Sequence, residues 1–424
     1  MTSSPVTVAD RELIRRLPKS DLHLHLDGSL RLETLIELAR ERRVELPSHS
    51  PAGLQELVFK EHYRDLAEYL QGFHYTVAVL QDPESLERAG YELALDNQAE
   101  GVCYIEVRFA PQLHINNRLA PEEIILAVNR GLARAREEYN GQPPVAAGER
   151  PRFEYGILLC ALRFFTAGFS PNYRYFFQAH KFSDPHRVYS MASLELARAA
   201  TWIRERHPEL PIVGFDLAGQ EEGYPARDHW EAYQHAHESF LGKTVHAGEA
   251  YGPESIFQAI TELHADRIGH GTWLFDTGKI KNRRIADPED YVRRLVDFIA
   301  DRRITLEICL TSNLQTSPAI GRLEDHPFGR MLDNRLSTAF CTDNRLVSRT
   351  SVTEEIVKAV EAFAIGPSQL KDLLAYGFKR SFFPGPYTEK REYVRRVLDY
   401  YEELVRRHEE EGEAEPASGP GPGR

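Results

Sequence analysis

The amino-acid sequence predicts an α/β fold in which eight parallel strands alternate with helices in a single (β/α)8, or TIM, barrel. Eight short strand-like segments recur along the 424 residues, and amphipathic helical segments separate them. Because parallel strands need helical crossovers, eight such units favour a closed barrel. The rival is an open, doubly wound sheet, but no glycine-rich phosphate-binding motif follows any of the strands.

The predicted strands are distributed along most of the chain. They begin at Ser20, Val102, Phe153, Pro211, Thr244, Arg267, Thr305 and Leu336. Helical periodicity is clearest over residues 30–40, 83–100, 121–139, 193–206, 229–241, 252–263, 290–302 and 389–407. Extra helices are expected after the first strand, up to about residue 80, and at the C-terminus. The pattern Ser351-x-x-Glu354 predicts the start of one of the last helices.

We expect one barrel domain over residues 1–408. Residues 409–424 are rich in acidic residues, proline and glycine, which predicts a disordered tail. Two stretches, 141–151 and 166–186, are predicted as loops. Aromatic residues at positions 165, 169, 173 and 175–177 suit a packed lid, an interface or a structural loop, and the sequence leaves these three alternatives open.

The composition argues against several partners and compartments. The net charge of -12 disfavours nucleic acid or an anionic membrane surface as the main partner. No apolar run reaches membrane-spanning length and the N-terminus lacks the features of a signal peptide, so we expect a cytoplasmic protein. The cysteines lie in apolar runs without the spacing of a disulfide framework or a zinc-thiolate cluster, which predicts reduced core thiols at Cys103, Cys160, Cys309 and Cys341.

A set of polar residues lies at the ends of the predicted strands. His23 and His25 alternate on the first strand, and His246 ends the fifth. His270 lies on the sixth strand, and Asp343 follows the eighth. Because the C-terminal ends of barrel strands converge on one face, three histidines and one aspartate come within reach of one metal ion. Such a set, completed by a water molecule, is typical of an open catalytic zinc site.

The residue types around this set indicate the chemistry. A bound divalent ion creates hydroxide from water at neutral pH. Glu249, three residues beyond a ligand, can protonate a ring nitrogen if burial raises its pKa. His270 and Asp343 can take the proton of the water and hold the hydroxide in line. Together these groups predict hydrolytic removal of an amine from a heteroaromatic carbon.

Two other metal sites are disfavoured by what the sequence lacks. Binuclear amidohydrolase barrels use a strand-four lysine to bridge two metals, whereas the fourth strand reads VGFD over residues 213–216. A single metal is therefore favoured. The cytidine-deaminase pattern, His-x-Glu with Pro-Cys-x-x-Cys, is also absent.

At this point the chain resembles a known family. The matching motifs, in order, are LPKSDLHLHLDGS (17–29), GFDLAG (214–219), VHAGE (245–249), RIGHG (267–271), TD (342–343) and SF (381–382). On these motifs the chain is identified as a member of the adenosine deaminases, within the metal-dependent amidohydrolase superfamily. The likeness extends from about residue 17 to residue 384.

The resemblance implies a (β/α)8 fold and one zinc ion per chain. It implies the zinc ligands His23, His25, His246 and Asp343, and the catalytic residues Glu249, His270 and Asp343. In the family, Glu249 would protonate purine N1, and His270 would orient and deprotonate the water. The implied substrate contacts are His25, Asp27, Gly219 and Asn344, with Gly219 donating to purine N3 and Asp27 meeting the ribose hydroxyl.

One residue departs from the pattern of the family. Many members have a second aspartate at the position of Asn344, where the side chain meets purine N7. An amide donates to an unprotonated N7, whereas a carboxylate must share a proton with it. We therefore expect recognition to survive, and this residue leaves the affinity and the exact substrate open.

The predicted function is zinc-dependent deamination of adenosine or 2′-deoxyadenosine to inosine or 2′-deoxyinosine and ammonia, as part of purine metabolism. Deamination of adenine, or of a 5′-modified adenosine such as aminodeoxyfutalosine, is the alternative within the same chemistry. From a different class, the barrel could bind nucleosides without turnover. The expected partner is a small purine nucleoside, with no nucleic acid and no membrane, and the sequence leaves a homo-oligomer open.

Overall fold

Eight parallel strands form the barrel in the computed structural model, which describes residues 10–317 and 319–414. They are β1 (Lys19–His25), β2 (Val102–Phe109), β3 (Glu154–Leu162), β4 (Ile212–Ala218), β5 (Gly242–Ala247), β6 (Arg267–His270), β7 (Thr305–Ile308) and β8 (Thr338–Phe340). The strands pair in chain order. The ring closes because His25 N–H donates to the carbonyl of Asp343, and Asp343 N–H donates to the carbonyl of His23, both at 2.8 Å. The predicted (β/α)8 barrel is confirmed.

Helices connect the strands and cover the outside of the barrel. In the part of the chain that the structure describes they are α1 (Arg11–Arg16), α2 (Leu32–Arg42), α3 (Pro51–Leu57), α4 (Leu66–Leu70), α5 (Gly72–Val79), α6 (Pro83–Gln98), α7 (Pro121–Asn140), α8 (Pro143–Ala146), α9 (Pro171–Ala179), α10 (Pro185–Arg206), α11 (Trp230–Glu238), α12 (Pro253–Glu262), α13 (Pro288–Arg302), α14 (Leu310–Thr316), α15 (Phe328–Asp333), α16 (Val352–Phe363), α17 (Pro367–Arg380) and α18 (Tyr387–Ala414). Short 3₁₀ turns cover Pro111–Leu113, Ala226–His229, Thr277–Lys279 and Leu323–Asp325.

Helix starts follow the local sequence signals. The side chain of Ser351 accepts a hydrogen bond from Glu354 N–H at 3.2 Å, as the Ser-x-x-Glu pattern predicts. Asp82 caps α6 in the same way, by accepting from Ser85 N–H at 2.9 Å. Pro83 occupies the first turn, where its missing N–H costs nothing.

The predicted loop over residues 166–186 is wrong in one respect, because it contains the helix α9. Ser170 caps this helix by accepting from Tyr173 N–H, and Pro171 starts it. The ring of Tyr173 stacks on Phe165 with centroids 3.9 Å apart, and both side chains are buried in a separate aromatic cluster. Aromatic packing thus stabilises a helix within a segment that was predicted as a loop. Likewise, α8 lies inside the predicted loop 141–151.

The other differences concern the ends of elements. Helix α10 begins at Pro185, earlier than the predicted 193, and β8 is limited to Thr338–Phe340. Helix α18 continues through residues 409–414, where a tail was predicted. Ion pairs one turn apart favour this helix, and they include Arg407 with Glu403 and Arg406 with Glu410. The predicted tail over residues 415–424 lies outside the described residues.

The four cysteines lie in the core, as the sequence predicts. Cys103, Cys160, Cys309 and Cys341 are free thiols, and all four are buried. Among the described residues, no helix has both the length and the apolar character needed to cross a membrane.

Candidate metal centre and active site

The four predicted ligands converge on the face formed by the C-terminal ends of the strands. His23 and His25 point the same way from alternate positions of β1, His246 comes from β5, and Asp343 follows β8. One ligand atom from each lies within 4.8 Å of all the others, and all four residues are buried. Nε2 of His25 is 3.3 Å from Nε2 of His246, and Nε2 of His23 is 3.4 Å from Oδ1 of Asp343.

This donor set fits a divalent metal ion. Imidazole nitrogen with one carboxylate oxygen is a preferred environment for zinc and related ions. Within the described residues, Nε2 of His23 is buried without a hydrogen-bond partner. Burial opposes a charge on His23, yet the carboxylates of Asp343 and Glu307 raise its pKa to about 9. The centre therefore favours a positive charge, either a proton or a metal cation.

Two carboxylates behind the centre orient the histidine ligands. Oε2 of Glu307 lies 2.8 Å from Nδ1 of His23, and Oδ1 of Asp216 lies 3.2 Å from Nδ1 of His246. Both carboxylates are fully buried, and Arg108 bridges them at 3.0 and 3.1 Å. A carboxylate on the far nitrogen of a metal-binding imidazole fixes its tautomer and aims the other nitrogen at the metal. Glu307 and Asp216 thus orient two of the predicted ligands towards the metal centre.

Backbone geometry also sets the direction of the site residues. Asp343 and His270 have left-handed backbones, with φ of 61° and 67°. Residues other than glycine rarely adopt this backbone region, and each one that does costs about 1–3 kcal/mol of folding free energy. Ser312 donates to Oδ2 of Asp343 at 2.6 Å, which leaves Oδ1 facing the imidazoles. The fold accepts strain at two of the predicted site residues.

The predicted acid and base lie beside each other at this centre. Oε1 of Glu249 is 3.8 Å from Nε2 of His270, and the Glu249 side chain is only 8% exposed. Burial, together with the negative charges of Asp343 and Glu221, raises the pKa of Glu249 to about 8. Glu249 therefore carries a proton at neutral pH, as a general acid must.

Comparisons with known proteins agree with this geometry. The family model described as adenosine deaminase matches residues 18–150 and 186–400. The chain belongs to the adenosine deaminase family. The two matched segments contain all of the residues of the metal centre and the Glu249–His270 pair.

Similar members of the adenosine deaminase family include bacterial proteins. An adenosine deaminase of Mycolicibacterium vanbaalenii is 36% identical over 87% of this chain and 91% of its own length. Adenosine deaminase 1 of Streptomyces coelicolor is 36% identical over 88% of this chain and 84% of its own length.

Solved structures share the fold. An adenine deaminase from Arthrobacter aurescens is 23% identical with a TM-score of 0.69, covering 92% of this chain and 99% of that chain. A zinc-bound amidohydrolase from Burkholderia ambifaria is 18% identical with a TM-score of 0.72, covering 96% of each chain. At these identities the likeness concerns the barrel architecture.

The substrate contacts that the family implies lie on the same side of the barrel. Asp27 follows β1, and Gly219 follows β4 with a left-handed backbone, φ 97°. Burial raises the pKa of Asp27 to about 7, and its Oδ1 has no hydrogen-bond partner among the described residues. Asn344 is buried next to Asp343, and its Nδ2 donates to the hydroxyl of Tyr69 at 2.8 Å.

Sequence reasoning missed several polar residues that contact this site. They are Tyr69, Glu221, Glu307, Ser312, Asn313 and His326. Glu307 interrupts the apolar strand β7, and a buried acid in such a strand is a signal that could have found it. Glu221 and His326 lie in connecting segments and contact residues far along the chain, so no local pattern marks them.

Proposed function

We propose that this chain is a zinc-dependent deaminase that converts adenosine or 2′-deoxyadenosine and water to inosine or 2′-deoxyinosine and ammonia. One observation carries the proposal: the four-ligand cluster and the Glu249–His270 pair meet at one face of the barrel. The adenosine deaminase family, to which the chain belongs, gives the substrate class. A barrel that only binds nucleosides would not need a protonated buried acid beside a metal centre.

The cofactor of the proposed reaction is one zinc ion per chain. His23, His25, His246 and Asp343 would hold it through three nitrogens and one oxygen. When bound, the ion lowers the pKa of water so that hydroxide is available at neutral pH. The support for a single ion is the sequence of β4, which offers no lysine to bridge a second one.

The chain itself supplies the proton transfers. Glu249, protonated at neutral pH, donates to purine N1 and makes the neighbouring carbon more electrophilic. His270 and Asp343 hold the attacking water in line and accept its proton. Since these groups are buried, their charges act in a medium of low dielectric, where positioned charge is worth more than in water.

Four residues are proposed to bind the substrate. The backbone N–H of Gly219 donates to purine N3, Asp27 meets a ribose hydroxyl, and Asn344 reaches N7. His25 borders the substrate as well as binding the metal. The unpartnered Oδ1 of Asp27 supports its part of this assignment, because a buried carboxylate oxygen needs a donor.

The wider setting is proposed on the composition. The net charge of -12 suits a small-molecule partner better than nucleic acid or an anionic membrane. We propose a cytoplasmic role in purine metabolism, with the catalytic barrel within residues 1–408. Gel filtration with light scattering would decide whether the chain forms a homo-oligomer.

A substrate panel at fixed enzyme concentration tests the function. With adenosine or 2′-deoxyadenosine as substrate, ammonia should be released and the absorbance of the substrate should fall. Turnover of adenine or of a 5′-modified adenosine in their place would contradict the proposal and support the alternative. Metal analysis should find one ion per chain. Two ions per chain would contradict the single-metal proposal and favour a binuclear site.

A variant tests the assignment of the acid. Glu249→Gln should keep the metal and lose about 10²- to 10⁴-fold in kcat, because an amide cannot supply the proton. Glu222→Gln, an exposed glutamate on a neighbouring loop, is the matched control. An active Glu249→Gln variant would remove Glu249 from its role.

A further inference from the structure

A chain of hydrogen bonds runs from a backbone amide to the far side of His270. The N–H of Phe328 donates to Nδ1 of His326 at 3.1 Å. Nε2 of His326 lies 3.2 Å from Oδ1 of Asn313, and Nδ2 of Asn313 lies 3.0 Å from Nδ1 of His270. His326, Asn313 and His270 are all at most 2% exposed. We call this chain of contacts the His326–Asn313 relay.

The backbone amide fixes the direction of the relay. An N–H can only donate, so Nδ1 of His326 must be a bare acceptor. The single hydrogen of the neutral His326 ring is then on Nε2. Burial, which lowers the pKa of His326 to about 3, is consistent with a neutral ring. Nε2–H therefore donates to Asn313, and the atom it meets must be the amide oxygen.

The orientation of Asn313 then follows. With its oxygen facing His326, its Nδ2 donates to Nδ1 of His270. Rotating the amide by half a turn would make Nε2 of His326 an acceptor and move its hydrogen to Nδ1, against the N–H of Phe328. Two hydrogens would then face each other in a buried position, and the hydrogen bond from Phe328 N–H to His326 would be lost. The amide orientation is therefore determined by the contacts and not by a choice between similar atoms.

We infer that Asn313 and His326 are positioning residues that hold His270 in the tautomer with its hydrogen on Nε2. A doubly protonated His270 is disfavoured by the same geometry, because its Nδ1–H would face the amide N–H of Asn313. Among the described residues, Nε2 of His270 has no hydrogen-bond partner. It lies 3.8 Å from Oε1 of Glu249, on the side of the metal centre. His270 thus presents an N–H to the site and not a lone pair.

This tautomer changes the task of His270 in the proposed function, on which this step depends. A ring with hydrogen on Nε2 donates to the oxygen of the attacking water and holds it in line. The sequence and the family resemblance suggested that His270 accepts the proton of that water. A ring with hydrogen on Nε2 does not. Of the two acceptors named from the sequence, Asp343 is then the one that remains.

Nitrogen NMR reads the tautomer directly. The chain is labelled with ¹⁵N-histidine, and long-range ¹H–¹⁵N spectra distinguish a protonated ring nitrogen from a bare one. The signals of His270 are assigned by their loss in His270→Gln. We expect hydrogen on Nε2 and a bare Nδ1 in the unmodified chain. Hydrogen on Nδ1 with a bare Nε2 would overturn the inference, whatever the activity of the protein.

Two variants of His326 test whether the relay sets the tautomer. His326→Phe keeps a ring but removes the donor to Asn313, so the amide is free to turn. We expect His270 to lose its single tautomer, and kcat to fall about 10- to 100-fold at unchanged metal content. His326→Gln keeps an N–H that reaches Asn313 and should restore both the tautomer and kcat. An unchanged His270 tautomer in His326→Phe would overturn the relay.

The two hypotheses fail separately. A chain that shows hydrogen on Nε2 of His270 but does not deaminate any adenosine would contradict the proposed function and leave the relay intact. A chain that deaminates adenosine with hydrogen on Nδ1 of His270 would contradict the relay and leave the function intact.

Discussion

The carboxylate of Glu221 accepts a hydrogen bond from the backbone N–H of Glu249 at 3.0 Å. The same carboxylate accepts from the N–H groups of Gly248, Ala250 and Tyr251 at 3.0, 2.7 and 2.9 Å. Glu221 is 1% exposed, and although burial opposes its charge, Arg163, Ser255 and the N–H groups of Tyr251 and Ala250 lower its pKa. One buried anion thus shapes the turn that carries the proposed acid.

We predict that Glu221→Gln impairs catalysis without removing the metal. The amide nitrogen of glutamine must face at least one backbone N–H, so the turn shifts and Glu249 moves with it. A displacement of about 1 Å at a reacting group can cost about 10²-fold in rate. Since the charge of Glu221 also raises the pKa of Glu249, the alkaline limb of the pH profile should move to lower pH. Steady-state kinetics from pH 6 to 10 measure both effects.

Glu222→Gln is the control for this change, because Glu222 is the next residue and is exposed. It should leave kcat and the pH profile as they are. An equal loss in Glu222→Gln, or an unchanged Glu221→Gln, would contradict the role of Glu221.

A second prediction concerns the support behind the metal ligands. Glu307 contacts His23 and Arg108 through Oε2 and Thr244 and Arg267 through Oε1. Glu307→Gln removes the negative charge that orients and polarises the imidazole of His23, so metal affinity should fall about 10- to 100-fold. Competition with a chelator measures the affinity. The free energy of unfolding should also fall, because the buried guanidinium groups of Arg108 and Arg267 lose a shared counter-ion.

The matched control is Glu324→Gln, in an exposed 3₁₀ turn, where the side chain is 52% exposed. Its metal affinity should equal that of the unmodified chain. If Glu307→Gln binds zinc as tightly as the control, the carboxylate does not support the ligand in the way we propose.

The third prediction is a pH dependence of turnover. Burial, Asp343 and Glu221 raise the pKa of Glu249 to about 8, so the acid is protonated below that pH and loses its proton above it. Turnover should therefore fall as the pH rises, towards a tenfold loss per pH unit. A bound metal cation favours the carboxylate form, so about 8 is an upper limit for the midpoint. The pH profile of kcat measures it.

The residual activity of Glu249→Gln should not show this alkaline limb. If the limb persists in Glu249→Gln with the same midpoint, another group is responsible for it. That result would contradict the assignment even if kcat itself were low.

Much of the fold was predictable because barrel strands have a simple physical requirement. Strands that lie between helical segments and are covered on both faces are short and mostly apolar, and all eight were recognised, the first of them by its alternation of polar and apolar residues. The end of β8 was not predictable: the paired strand stops at Phe340, and the backbone is left-handed at Asp343. That turn depends on contacts with β1, which closes the ring against the same residue.

The candidate site divides in the same way. His23, His25 and His246 stand at strand ends, where polar residues in apolar runs are conspicuous, so they were predictable from the sequence. Glu221 was not, since it acts on a turn 27 to 30 residues further along, through backbone groups that any residue offers. Contacts that use backbone donors leave no signature in residue types.

The last prediction concerns Asn344, the departure from the family pattern. Its Nδ2 donates to the hydroxyl of Tyr69 at 2.8 Å, and that hydroxyl lies 2.7 Å from Oγ of Ser348. Tyr69→Phe removes the partner that orients the amide and should weaken its proposed contact with purine N7. The lost hydrogen bond is worth about 0.5–1.5 kcal/mol, so KM for adenosine should rise about 3- to 10-fold. A contact that is made equally before and during reaction affects KM alone, so kcat should stay nearly constant.

Tyr63→Phe provides the comparison in the same aromatic pair. The two tyrosine rings are 5.1 Å apart, but the Tyr63 hydroxyl donates to the carbonyl of Val347 at 2.8 Å and not to Asn344. Steady-state kinetics on both variants should therefore show a raised KM in Tyr69→Phe alone. A similar rise in Tyr63→Phe would mean that the whole segment carrying both tyrosines has shifted. An unchanged KM in Tyr69→Phe would mean that Asn344 needs no tether, because the substrate itself orients the amide.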